Sequence, residues 1–463
     1  MGMIPIAFPR LAWAAVRRKF SARDAPTSWS PTCRRDIFAV AFASDTPCGI
    51  RGENDPMKRR EFITLVVGAA ALPFVANAQQ PQSSPAIDEA MNRAIERKDV
   101  VGVVVMAADR KRIIYQGAFG VADISEARPL KLDALFRIAS MTKAITSTAA
   151  MQLVEQGRFA IEDPVEKYLP EFAKLSVFES FDGATGAYRL RPATKAVTIR
   201  HLFTHTSGLG YGFTNPIVRD FKPRPGEEYP VGPLVFEPGE RWLYGTSTDW
   251  LGRLVEKVSG LPLEDYFRQR VFTPLGMADT FYFVPKDKEA RLVKVNRRLV
   301  DGSIVREPVQ PPTSGFTPVG GGGLSSTASD YLRFTRALLN GGELDGGRIL
   351  SAGTVALMGQ NHIGTLGVPA QKVAMPERSD DFSFIADGRD KWGLGFLITA
   401  DSVPGKRSAG SLSWGGIDNT YYWLDPARGI TGVILMQFLP FADRKALALY
   451  DAFERGVYQL ASR

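Results

Sequence analysis

The stretch "FRIASMTKAITSTAAMQLVEQGRF" (136–159) places Ser140, Lys143 and Ser147 at i, i+3 and i+7, one face of a predicted helix. A lysine in a first helical turn meets the positive end of the macrodipole. Met141, Ile145, Ala149 and Leu153 recur every four residues, a stripe predicted to be buried. Burial there would disfavour an ammonium further. A neutral amine within reach of Ser140 could take its proton, and first-turn N–H groups could receive a developing oxyanion. On spacing alone, a silent surface lysine is the simpler reading, so the rest of the chain must supply partners. Gly157 is the expected helix stop.

Other chemistries find less support. No serine lies in a G-x-S-x-G elbow. His201 and His205 are i, i+4 apart, but Leu202 stands where a zinc protease carries its glutamate. No third ligand suggests itself, and the two are read as packing and capping residues; His205 falls where a C-terminal cation or donor would help. Gly320–Gly323 lacks a following Lys-Ser/Thr and reads as a tight turn, not a phosphate loop. Tyr244 precedes a predicted helix by a few residues, so its hydroxyl could point into a cleft. Gly415 and Gly416 sit at a predicted strand edge, where glycine permits close backbone approach.

Together, Ser140-Met141-Thr142-Lys143, Tyr244-Gly245-Thr246 and Trp414-Gly415-Gly416 resemble the S-x-x-K, Y-x-N and K-T-G elements of class C β-lactamase-like serine hydrolases. "LFTHTSGL" and "GGGGLSSTASDYLRF" are family-like too, and the resemblance spans about residues 84–460. The W-G-G form is similar to family VIII carboxylesterases. The resemblance implies a serine esterase working through an acyl-enzyme on a small-molecule ester. Ser140 would be the nucleophile. Lys143, neutral or sharing a proton with Tyr244, would activate it. Tyr244 would protonate the leaving alcohol and activate the deacylating water, and the Ser140 and Ile417 N–H groups would form the oxyanion hole. Thr246, Trp414, Gly415 and Gly416 would contact substrate. Asp249 fits either a carboxylate behind these groups or an ordinary first-turn acid. No cofactor and no metal are implied. Thr246 replaces the asparagine and Trp414 the lysine that help hold a β-lactam, which disfavours lactamase activity. A β-lactamase, D-Ala-D-Ala peptidase or acyltransferase is the alternative within enzymes; a peptidoglycan-fragment binding module is the alternative outside them.

The elements that must position these residues follow from pattern. Residues 102–123 read as a hairpin turning at Asp109-Arg110-Lys111. A Pro/Gly-rich stretch follows the Ser140 helix to about residue 240, broken by a short helix at 198–204. Amphipathic helices are predicted at 247–260 and within 320–342. Three strand-like runs follow ("WGLGFLIT", "NTYYWLDP", "ITGVILMQF"), then a last helix over 442–461. This order predicts an α/β (α+β) fold: an antiparallel sheet built from 84–135 and 320–463, with a helical or irregular insertion at 136–319.

The N-terminal part reads differently. "MKRREFITLVVGAAALPFVANAQQ" has a basic start, an apolar run and Ala76-Asn77-Ala78 as a cleavage site, so 57–78 is expected to be an export signal of twin-arginine type. Residues 1–56 are unpatterned, hold both cysteines, and are expected to be an upstream extension. Periplasmic or secreted placement follows. Of 57 basic and 49 acidic residues, 11 and 6 fall in 1–78, leaving 46 against 43, a net charge of +3. The overall charge of +8 therefore belongs largely to the leader, and nucleic acid is not an expected partner. Beyond residue 78 there is no cysteine for a disulfide or a thiolate metal site, and no apolar stretch long enough to span a membrane. Sequence gives no oligomeric state.

Overall fold

A computed structural model describes residues 82–308, 316–383 and 388–462. The expected extension (1–56) and export signal (57–78) lie outside the described residues.

The hairpin forms as predicted from β1 (Gly102–Asp109) and β2 (Ile113–Asp123). The Asp109 carboxylate accepts the Lys111 and Arg112 N–H groups, both at 2.7 Å, which fixes the turn. β3 (Arg128–Pro129), β4 (Lys391–Trp392), β5 (Leu397–Ile398), β6 (Leu412–Gly416), β7 (Thr420–Asp425) and β8 (Ile430–Leu435) complete one antiparallel sheet. Its order is β4-β5-β6-β7-β8-β1-β2-β3. The two chain ends meet at the β1–β8 seam, where Val104 pairs with Leu435 and Asp109 with Ile430.

Helices cover both faces, and strand alternation shows which residues face which. On β7, Tyr421 stacks on Tyr450 and Trp423 meets Phe453, both from the helix Arg444–Ala461. Tyr422, between them, meets Tyr331 of the helix Ala328–Leu339 on the other face. Every residue of β7 and β8 is buried, as strands packed on both sides must be. The N-terminal helix Pro85–Glu96 packs beside the C-terminal one.

The Ser140 segment is a 3₁₀ turn, Ala139–Met141, running into a helix, Thr142–Glu155. Gly157 ends it in the left-handed region (φ 66°), with Arg158 N–H reaching back to the Leu153 carbonyl at 3.0 Å. The expected single apolar stripe is corrected: every residue from Thr142 to Leu153 is buried, hydroxyl-bearing ones included. The helix lies in the core with neighbours all round, so small Ala, Ser and Thr side chains replace an exposed polar face.

A second correction concerns "WGLGFLIT". It splits into the two-residue strands β4 and β5, because Gly395 turns between them at φ 101°. A Cβ there would lie 2.2 Å from Ser147 Oγ, so glycine is required twice over. The expected helices form at Ile199–Thr204 and Ser247–Ser259, and the stretch between the Ser140 helix and residue 240 holds one hairpin that was not expected, Ser176–Phe181 paired with Tyr188–Pro192. No helix among the described residues is long and apolar enough to cross a membrane.

Candidate active site

Ser140 is presented by a strained turn. Ala139 immediately before it is left-handed (φ 44°), which costs an L-residue roughly 1–2 kcal/mol. Hydrogen bonds on both sides hold that geometry: Ile138 N–H to Leu324 O at 3.0 Å, Met141 N–H to Ile138 O at 3.0 Å, and Tyr331 hydroxyl to Met141 O at 2.9 Å. The end of β6 presses against the same turn. A Cβ on Gly416 would lie 2.3 Å from Ile138 O, and one on Gly415 would lie 2.7 Å from the Tyr421 ring. These glycines are needed for close approach, as expected, but what approaches is the chain's own backbone and rings.

Lys143 is 2% exposed, and its Nζ has three partners. It donates to Ser140 Oγ at 3.1 Å, to Tyr211 hydroxyl at 3.1 Å and to Gly321 O at 2.7 Å. The carbonyl can only accept, whereas each hydroxyl can accept or donate. Nζ can therefore hold three protons, or hold two and accept one from Ser140, without leaving a buried group unpaired.

Behind Nζ lies a carboxylate. The Tyr211 hydroxyl donates to Asp249 Oδ2 at 3.4 Å, and Gly321 N–H donates to Oδ1 at 2.7 Å. Burial raises the Asp249 carboxyl above its ordinary value, against the pull of Lys143 and of its hydrogen-bond donors. Burial, and next the Asp249 charge, hold the Tyr211 phenol well above its usual range, so it stays a protonated bridge. Asp249 is thus a first-turn acid of Ser247–Ser259 and also part of this cluster.

Tyr244 meets Lys143 differently from the expected shared proton. Nζ lies over its ring, 4.8 Å from the centroid, while its hydroxyl accepts from Trp414 Nε1 at 3.2 Å. Ser140, Tyr244, Trp414, Gly415 and Ile417 all border one cavity, closed by Phe213, Phe382 and Phe441. Thr246 is not among that lining; it occupies the N-cap position of Ser247–Ser259. Ser147, two turns along from Ser140 on the same face, packs against Gly395 instead.

The histidines are structural in geometry. His201 Nδ1 accepts the Thr198 N–H at 3.1 Å and closes a capping box for Ile199–Thr204. Burial lowers its pKa to about 4. His205 takes the left-handed cap (φ 56°) and is enclosed by Trp242, Tyr244 and Trp392. Burial drives its pKa well below the ordinary value, so of the two expected roles at that helix end, cation or donor, a neutral ring leaves only the donor. His362 Nε2 lies 2.8 Å from Leu357 O.

Tyr211 and Gly321 escape sequence reasoning. Neither stands at helical or strand spacing from Lys143, and Gly321 was legible only as part of a turn. Packing requires glycine at two positions of Gly320–Gly323: a Cβ on Gly321 would lie 2.4 Å from Asp249 Oδ1, and one on Gly320 2.2 Å from Thr248 O.

The chain is similar to known proteins over most of its length. Monacolin J acid methylbutanoyltransferase of Aspergillus terreus is 30% identical over 400 residues, 80% of this chain and 95% of its own. Lovastatin esterase of Penicillium rubens is 31% identical over 395 residues, 81% and 98% of the two chains. The solved structure of simvastatin synthase (LovD6 mutant) from Aspergillus terreus superposes with a TM-score of 0.71 at 29% identity, covering 81% of this chain and 96% of that one. The beta-lactamase family's sequence pattern matches residues 87–455, and the chain belongs to that family of serine-hydrolase-type enzymes.

Proposed function

We propose that the protein is a serine carboxylesterase that cleaves short-chain esters of small molecules through an acyl-enzyme on Ser140. The observation that carries this reading is the buried Lys143 Nζ, 3.1 Å from Ser140 Oγ, in a cluster that can absorb one extra proton. Ser140 Oγ attacks the ester carbonyl as Nζ takes its proton. The Ser140 and Ile417 N–H groups receive the oxyanion. Indole N–H can only donate, so Trp414 engages an oxygen lone pair of Tyr244 and leaves the phenol proton free. Tyr244 gives that proton to the departing alcohol and then draws one from the water that attacks the acyl group, while Nζ returns its proton to Ser140 Oγ as the acid leaves.

Trp414 also bears on substrate class. A penicillin carboxylate would meet an indole where the resembling lactamase pattern has a lysine. Losing a charge-assisted bond costs about 1.5–3 kcal/mol, or about 10- to 100-fold in rate. p-Nitrophenyl acetate or butyrate should therefore exceed benzylpenicillin in kcat/KM by about two orders of magnitude. Benzylpenicillin as the better substrate would overturn the esterase reading.

Acyl transfer to an alcohol is the second reading, favoured by the similarity to a methylbutanoyltransferase. Adding small alcohols to the ester assay separates the two: a transferase gives the new ester in preference to the free acid. The export signal read at 57–78 supports action outside the cytoplasm. Changing Arg59 and Arg60 to lysine should then leave the protein inside the cell.

A further inference from the structure

A second cavity lies directly behind the first. It is lined by Val368, Pro369, Gln371, Asp390 and Leu397, and it shares Phe382 and Trp414 with the cavity at Ser140. Each encloses about 10 Å³, room for roughly one water or one methyl group. Phe382 and Trp414 are thus a partition between two small spaces.

The partition is fixed from several sides. Phe382 pairs through its backbone with Gln371 at 2.7 and 3.0 Å, and its ring stands edge-on to Phe441 with centroids 4.9 Å apart. Phe441 is itself tied by its backbone to Arg378 and Asp380. Trp414 is held by its bond to Tyr244 and by edge contact with Trp392 at 4.7 Å. Neither ring can swing aside without breaking several contacts.

We propose that Phe382 sets the acyl-chain length by closing off the second cavity, so that an acetyl group fits and longer acyl groups are progressively refused. This rests on the esterase reading. The enclosed space suits the acyl part because that part stays on Ser140, whereas the alcohol must leave and be replaced by water. Val368, Pro369 and Leu397 give the hidden space an apolar side, facing the polar Gln371, Ser383 and Asp390, and a longer chain would lie along that apolar side once the space is opened.

The test uses p-nitrophenyl esters from acetate to octanoate, with mass spectrometry of the acyl group on Ser140. In the wild type, kcat/KM should fall at least about 10-fold between acetate and octanoate, because each misfitting methylene counts in a small pocket. Phe382→Ala should raise the octanoate-to-acetate ratio by about 10-fold or more. Adding Val368→Phe to that variant, to refill the opened space, should lower the ratio again. If Phe382→Ala fails to fold, Phe382→Leu should shift the ratio the same way by less. A wild type that takes octanoate as readily as acetate, or a folded variant with an unchanged ratio, overturns the role of Phe382 alone. Absence of any acyl adduct on Ser140 overturns the esterase reading as well.

Discussion

Trp414 Nε1 donates to the Tyr244 hydroxyl across 3.2 Å, a neutral hydrogen bond in a position where the resembling lactamase pattern carries a cation. Trp414→Phe keeps an aromatic ring and removes only the donor and some bulk. A neutral hydrogen bond contributes about 0.5–1.5 kcal/mol, so kcat should fall up to roughly 10-fold. KM should move less, since Tyr244 is asked to act in the chemical steps. A change confined to KM would show that the bond only shapes the pocket.

Ser140→Ala should lower kcat by at least about 10³-fold, as expected for one member of an interdependent site. Ser207→Ala is the control. Ser207 Oγ bonds to Ser247 Oγ at 2.8 Å and has no lysine partner, so its loss should leave most activity. The reverse pattern would move the nucleophile to Ser207.

Lys143→Arg should damage turnover nearly as much as Lys143→Ala. Arginine cannot shed its proton, and its planar fork does not match the one carbonyl and two hydroxyls around Nζ. Substantial activity in the arginine variant would mean that positive charge alone suffices there.

His201 gives a stability prediction with a definite sign. Its pKa is lowered from 6.5 to about 4 by burial. Above pH 6.5 both folded and unfolded forms are neutral there, and the site makes no pH-dependent difference. As pH falls from 6.5 towards 4, the unfolded chain takes the proton first, so the fold loses on the order of 2–3 kcal/mol. His201→Gln keeps an acceptor suited to the capping box and removes the titration. Urea unfolding at pH 7.5 and 4.5 should show a smaller loss in the variant; an equal loss would assign the acid sensitivity elsewhere.

Local relations were the legible ones. Ser140 and Lys143 are three residues apart on one turn, so sequence spacing alone put Oγ within reach of Nζ. The hairpin at Asp109 and the stop at Gly157 were equally readable, because each depends on a few adjacent residues. Tyr211, 68 residues from Lys143, and Gly321, 178 residues away, reach it only through the packed core. No periodicity encodes such meetings. Thr246 does not border the cavity, because a motif position fixes a residue's neighbours in sequence and not its place around a pocket. The sequence left His205 open as cation or donor because it shows a helix end and not the three aromatic rings that enclose it.

The β1–β8 seam has a consequence for how the chain must be made. Val104 has no partner on that edge until Leu435 exists, more than three hundred residues later. A nascent chain therefore carries the Ser140 helix, complete in sequence, beside half a sheet with an open apolar edge. Such an edge can pair with another copy as readily as with its own end. Loss of even the last strand and helix should leave an aggregating chain with its serine and lysine still adjacent, and no cavity around them.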